Sequence, residues 1–219
     1  MIKAVIYDMD GIIIDSEPLW RKAEIKVFAE FGVPLTEEMC KETMGLRVDE
    51  VVEYWSHRYP LSINDYSVIE DRIMDGVISL VESDGEILPG VTESLVFFNN
   101  KGMNIALASS SQMRLIDTVV DRFNLRNYFS VIYSAEVEEY GKPHPGVYIS
   151  TAKKLQVKPS QCLAVEDSIN GILSAKAAKM KCIGVPDKEH RIDKRLGISD
   201  VVIDSLNEIN ESLWKQVNS

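Results

Sequence analysis

Cysteine is scarce, with three residues, Cys40, Cys162 and Cys182, in a chain of 219. They show neither the pairing of a disulfide framework nor the spacing of a metal knot. Each reads as a small buried hydrophobe, in a chain suited to a reducing cytoplasm. Basic charge is also short: 24 Lys and Arg face 34 Asp and Glu, for a net charge of −10. That balance argues against nucleic acid or an acidic membrane as a partner unless a basic patch overrides it. No such patch is present, and the stretch Lys188–Arg195 is mixed in sign. No apolar run approaches the ~20 residues of a membrane span. Repeats and low-complexity segments are absent as well. The opening run Met1–Tyr7 lacks the length and cleavage pattern of a signal peptide and reads as a first strand. With 45% hydrophobic and 26% charged residues, the chain has the composition of a globular protein.

What is present changes character twice. The apolar segment Ala4–Met9 is bounded by Asp8 and Asp10 and suits a strand buried on both faces. Residues 16–84 then follow helical spacing. Ser16 is placed to cap a helix with Pro18 in its first turn, which Gly32 and Pro34 end. A second helix starts at Thr36, and a third runs from Val48 to Tyr59, before Pro60. Ile69, Ile73, Val77 and Val81 mark an amphipathic fourth. After Leu88-Pro89-Gly90, helices and strands alternate. The strands fall at Asn104–Ala108, Val131–Tyr133, Cys162–Val165, Cys182–Val185 and Val201–Ile203. A capping box, Ser205-Leu206-Asn207-Glu208, opens a last helix. Alternation of this kind predicts an α/β fold, a Rossmann-like parallel sheet flanked by helices. Residues 16–84 read as a helical domain inserted after the first strand.

In such sheets, ligands bind at the carboxyl ends of the strands. Asp8 and Asp10 follow the first strand, and Ser109, Ser110 and Ser111 follow the second. The loop with Lys142 follows the third, and Glu166 and Asp167 follow the fourth. Four carboxylates in one place need a cation to neutralise them. Their oxygen-only donor set suits Mg²⁺ rather than zinc. A carboxylate can attack phosphorus to form an aspartyl-phosphate, with Mg²⁺ and a lysine screening the charge. A second acid can protonate the leaving alcohol and later activate water.

Asp8-Met9-Asp10-Gly11, Ala108-Ser109, Gly141-Lys142-Pro143 and Glu166-Asp167-Ser168 resemble the four ordered motifs of the haloacid dehalogenase superfamily, over essentially the whole chain. The resemblance implies Asp8 as nucleophile, Asp10 as general acid/base, and Ser109 and Lys142 as phosphate binders, with Ser110 beside them. It implies Mg²⁺ held by Asp8, Asp167 and the Asp10 carbonyl, with Glu166 a further acid of that metal site. It also implies a catalytic core of residues 1–15 and 85–219 under a helical cap of residues 16–84, hinged near Asp15-Ser16 and Gly85.

The cap resembles that of the sugar-phosphate branch, which holds β-phosphoglucomutases and the 2-deoxyglucose-6-phosphate and hexitol-phosphate phosphatases. Pro18-Leu19-Trp20, Gly45-Leu46-Arg47 and Ala106-Leu107-Ala108-Ser109 look closest to the phosphatases, because the mutases carry a histidine where Trp20 falls. The implied activity is Mg²⁺-dependent hydrolysis of a small phosphorylated sugar or polyol by a cytoplasmic monomer. A mutase and a non-catalytic phosphometabolite binder are the rival readings. Arg47 is a candidate to grip the sugar phosphate, or a surface residue. Trp20 is a sugar platform, or cap core. Asn170 is a candidate to bind near the phosphate or metal loop, or is a first-turn helix polar. Ser111 is expected to cap the helix that follows it.

Overall fold

The computed structural model describes residues 1–59, 61, 65–186 and 193–218. Pro60 and residues 188–192 of the mixed-charge stretch lie outside them. Six strands form one parallel sheet: β1 (Ala4–Tyr7), β2 (Asn104–Ser109), β3 (Val131–Ser134), β4 (Cys162–Glu166), β5 (Lys181–Gly184) and β6 (Val201–Val202). Their order is β3-β2-β1-β4-β5-β6, with every pair parallel. The order reverses at β1, which places a crevice at the carboxyl edge beside it. Tyr7 is level with Leu107 and Val165, so Asp8 and Glu166 emerge from the same edge.

The alternation of β1 explains its wholly apolar sequence. Val5 and Tyr7 join one apolar cluster, with α5 (Val91–Asn100), α6 (Met113–Arg122) and α9 (Glu211–Asn218). Ala4 and Ile6 join another, with α7 (Gly146–Lys154) and α8 (Ile169–Ala177). A strand covered on both faces has no room for polar side chains until it ends.

Between β1 and α5 lie α1 (Glu17–Glu30), α2 (Glu37–Cys40), α3 (Val48–Arg58) and α4 (Ser67–Asp84). Among the described residues this stretch contributes no strand to the sheet. Leu19, Phe28, Val52, Trp55, Ile73 and Val77 continue the first apolar cluster into it, and α4 packs against α6. The two connections run side by side: Ile14 bridges Ile87, and the Asp15 amide donates to the Glu86 carbonyl at 3.1 Å.

Three caps differ from their sequence reading. The Ser16 hydroxyl makes no cap hydrogen bond to α1 and instead donates to Asp10 at 2.6 Å. The Ser111 hydroxyl also donates to Asp10, at 2.7 Å. The first amide of α6 is satisfied by Glu136, at 3.0 Å. The Ser205 box closes one 3₁₀ turn, Leu206–Glu208. The last α-helix starts later, where Asn210 accepts the amides of Ser212 and Leu213. Both hydroxyls are turned to donate to the Asp10 carboxylate, a charge-assisted bond, and in that orientation neither oxygen accepts a helix amide.

Candidate active site

Asp8, Lys142, Glu166 and Asp167 meet at the carboxyl edge of the sheet. Lys142 is 3% exposed and Glu166 fully buried. The Lys142 ammonium lies 2.7 Å from Glu166 Oε1 and 2.9 Å from Asp8 Oδ1. Glu166 Oε1 also accepts the Tyr148 hydroxyl, so Glu166 fixes the position of Lys142. Two glycines make room for the acids. At Gly171, a Cβ would fall 1.9 Å from Glu166 Oε2. At Gly11, where φ is +69°, it would fall 2.1 Å from Asp167 Oδ2. Side chains are excluded at both, and Gly11 also uses the left-handed backbone that glycine adopts freely.

The electrostatics show a surplus of negative charge. Asp8, Glu166 and Asp167 each offer a carboxylate oxygen, all within 4.8 Å of one another. One lysine cannot neutralise three acids. Burial, then the neighbouring Glu166, pushes Asp8 up to about 7 against the pull of Lys142. Burial, then Glu166 and Asp8, holds Asp167 well above the carboxylate range. Burial alone would lower Lys142, but Asp8 and Glu166 outweigh it and hold the ammonium charged. Asp8 Oδ1 has the Lys142 ammonium, whereas Glu166 Oε2 is buried with no hydrogen-bond partner. A buried all-oxygen cluster with more acids than cations fits a hard divalent cation.

Asp10 stands apart from that cluster. Its Oδ1 accepts Ser16 Oγ at 2.6 Å and Trp20 Nε1 at 3.0 Å. Its Oδ2 accepts Ser111 Oγ at 2.7 Å and Ser109 Oγ at 3.3 Å. Four donors lock one carboxylate, two from the insertion and two from the sheet side.

A cavity of about 60 Å³ lies above these groups. Asp8, Asp10, Ser110, Ser111, Lys142 and Asp167 line its floor, and Trp20, Arg21, Glu24, Thr43 and Leu46 its roof. Ser110 Oγ is buried with no partner. Ser109 is not among the lining residues: it is fully buried, and its hydroxyl accepts the Ser111 amide at 3.0 Å. Asn170 sits half-buried in the first turn of α8, away from the lining.

Arg47 is engaged elsewhere. It donates to the carbonyls of Ala135 and Glu138, at 3.2 and 2.8 Å, and pairs with Asp49 at 2.9 Å. Beside it, Glu50 accepts the Gly141 amide at 3.1 Å. The start of α3 therefore clasps the loop that leads to Lys142.

Sequence reasoning passed over Tyr148, Glu50 and Glu24. Tyr148 falls in an ordinary helix pattern. Glu50 carried a local signal as a capping partner of the Arg47 amide, but its contact with Gly141 spans 91 positions. Glu24, an acid on the inward side of an amphipathic helix, was the one detectable exception to the pattern.

Comparison with known proteins places the whole chain among relatives. The family described as haloacid dehalogenase-like hydrolase matches residues 5–185. Hexitol phosphatase B of Escherichia coli K12 is 42% identical over 209 residues, covering 95% of this chain and 94% of that protein. A phosphorylated carbohydrates phosphatase of Thermotoga maritima is 30% identical over 184 residues, covering 83% of this chain and 84% of that protein. Among solved structures, a β-phosphoglucomutase from Clostridium difficile superposes with a TM-score of 0.87 at 26% identity, covering 100% of this chain and 98% of that one.

Proposed function

The chain belongs to the haloacid dehalogenase-like hydrolases, and from that premise we propose that it is a Mg²⁺-dependent phosphatase of small sugar or polyol phosphates. One observation carries the reading. Asp8, paired with Lys142 at 2.9 Å, sits beside a second acid, Asp10, that is held by four separate donors. One carboxylate is placed for attack and the other for proton transfer. Similarity to a hexitol phosphatase and a carbohydrate phosphatase supports the substrate class.

In this reading Asp8 attacks phosphorus in line, and the ester bond to the alcohol breaks. Asp10 gives its proton to the leaving oxygen. Asp10 then takes a proton from water, which attacks phosphorus and frees Asp8. Lys142 and Ser110 hold phosphoryl oxygens, and Glu166 and Tyr148 hold Lys142. Ser109 supports the serine loop from beneath. Asp8, Asp167 and the Asp10 carbonyl would hold Mg²⁺, with Glu166 the further acid of the site. The bound cation would supply charge neutralisation at the phosphoryl group.

Residues 16–84 act as a cap over a core of residues 1–15 and 85–219. The cavity of about 60 Å³ and the adjoining one of about 180 Å³, which share Trp20, Leu46, Ser110 and Ser111, are both below the ~300 Å³ of a ligand site. The cap therefore swings open to admit substrate, hinging at the paired connections near Asp15 and Gly85. The three cysteines are free and buried, which supports the cytoplasm as the compartment.

The test is inorganic phosphate release across sugar, polyol and nucleotide monophosphates, with and without Mg²⁺. Release that needs Mg²⁺ and disappears in Asp8→Asn supports the reading. No release from any substrate overturns it.

The likeness to a β-phosphoglucomutase favours a second reading, in which the phosphoryl group returns to another hydroxyl of the sugar. Against it, Trp20 occupies the place next to Asp10 where the mutases carry histidine. Interconversion of glucose phosphates with trace bisphosphate and no net phosphate release would establish the mutase.

A further inference from the structure

Glu24 is a carboxyl that neither the floor chemistry nor the fold accounts for. It lies on α1 one turn beyond Trp20, lines the cavity, and is 7% exposed. Burying a carboxyl is unfavourable unless strong partners satisfy it. Its partner is the Cys40 thiol, a weak donor. Burial, followed by the nearby Glu17, raises Glu24 to about 8. A neutral carboxyl can both donate and accept.

The surroundings make this group distinctive. Met44, Leu46, Val48 and Val51 also line the roof and offer a ligand no hydrogen bond. The phosphoryl group belongs on the floor with Asp8 and Lys142. Trp20 reaches down to Asp10, the acid assigned to the leaving oxygen. The rest of the alcohol must then extend past Trp20 along α1, where the polar lining is Arg21, Glu24 and Thr43. The Thr43 hydroxyl is bound to the Cys40 carbonyl, Arg21 is half-buried, and Glu24 is the buried polar group of α1.

We propose that Glu24 recognises a hydroxyl of the leaving alcohol and makes the chain select polyhydroxylated phosphate esters over those with bare alkyl or aryl alcohols. The proposal rests on the phosphatase reading above. A site built to bond a hydroxyl discriminates strongly against an alcohol without one, because its polar group is then left buried and unpaired.

The experiment compares kcat/KM for hexitol 6-phosphate, n-hexyl phosphate and p-nitrophenyl phosphate in the full chain with Mg²⁺. Wild type is expected to favour the hexitol ester over the hexyl ester by about tenfold or more. Glu24→Leu should remove most of that preference, mainly through KM, and leave p-nitrophenyl phosphate within about twofold. Glu24→Gln, which can still donate and accept, should retain it. Equal losses on all three esters in Glu24→Leu would mark a purely structural residue and overturn the proposal. An unchanged preference in Glu24→Leu would overturn it too. If wild type hydrolyses hexyl and hexitol esters equally, the proposal falls without any variant, while the phosphatase reading stands. If wild type hydrolyses none of the three, the proposal falls, and the wider panel above decides the phosphatase reading by itself.

Discussion

The floor and the roof of the cavity are built in opposite ways. On the floor, Asp8, Glu166 and Asp167 leave neighbouring strands in register, and Lys142 is fixed by two ion pairs. Its groups are nine-tenths or more buried at Asp8, Lys142 and Glu166. The roof meets the floor through single polar contacts, Ser16 and Trp20 to Asp10, Arg47 to two carbonyls, Glu50 to one amide, while behind it α4 packs on α6, where Arg114 pairs with Asp71 and Asp75. A floor of buried ion pairs holds chemistry in place, whereas the polar contacts at the cavity edge are single hydrogen bonds that can release and re-form about the α4–α6 packing.

The sharpest division is expected from Asp8→Asn. It removes the proposed nucleophile while keeping shape, so phosphate release should fall by about a thousandfold or more. Because it also removes one charge from a buried surplus of acids, the folded state should be no less stable. Thermal melting together with a phosphate assay checks both halves. A variant that loses activity only by melting would break the comparison.

Gly171→Ala should be the costliest change to the floor's stability. The new Cβ would meet Glu166 Oε2 at 1.9 Å and force the acid off Lys142 and Tyr148. Disrupting a buried pair costs about 3–5 kcal/mol, to be read from denaturant midpoints. Gly197→Ala is the control, since nothing lies within 4 Å of its added methyl and a change of about 0.5 kcal/mol or less is expected.

The same division explains what could be read from the chain alone. The floor was legible because strand ends in a parallel sheet converge by topology, so Asp8, Lys142, Glu166 and Asp167 announce themselves by position. The sequence likewise marked the four α-helices that the described residues of the insertion form. The roof was not legible, because its contacts depend on how the insertion docks. Ser16 looks like a cap until Asp10 is seen beside it. Arg47 looks free until the carbonyls of Ala135 and Glu138 are placed, 88 and 91 positions away. Ser205 carried a correct local signal whose reach was one 3₁₀ turn, since the α-helix waits for Asn210.

Glu24 sharpens the contrast from the roof side through pH. Its folded value of about 8 stands above its ordinary 4.5. Below pH 4.5 both states carry the proton and its contribution to stability is fully present. As pH rises to about 8, the unfolded chain ionises while the folded chain cannot, and that contribution is lost. Glu24→Gln removes the effect in the presence of the same neighbours, Cys40 and Glu17. The variant should therefore gain on wild type by about 1 kcal/mol per pH unit between pH 5 and 8, and level off above. Melting curves at matched pH test this, and a constant gap would show that Glu24 is not held neutral.

The smallest expected effect belongs to Arg47, and it tells most about how floor and roof communicate. Its guanidinium joins α3 to the carbonyls of Ala135 and Glu138, on the loop that leads to Lys142. Arg47→Ala removes these bonds without touching Asp8 or Asp10, at a cost of about 1–2 kcal/mol to the closed arrangement. If closure is what completes the site, that cost appears as an approximately tenfold fall in kcat/KM, with global stability nearly unchanged. Amide exchange should quicken at residues 135–141 and stay slow in β1 and β4. Glu50→Gln, which weakens the grip on Gly141, should act in the same direction by a lesser amount. If Arg47→Ala instead lowered stability throughout the sheet, the roof would be part of one rigid body with the floor. Its contacts would then be structure rather than a clasp.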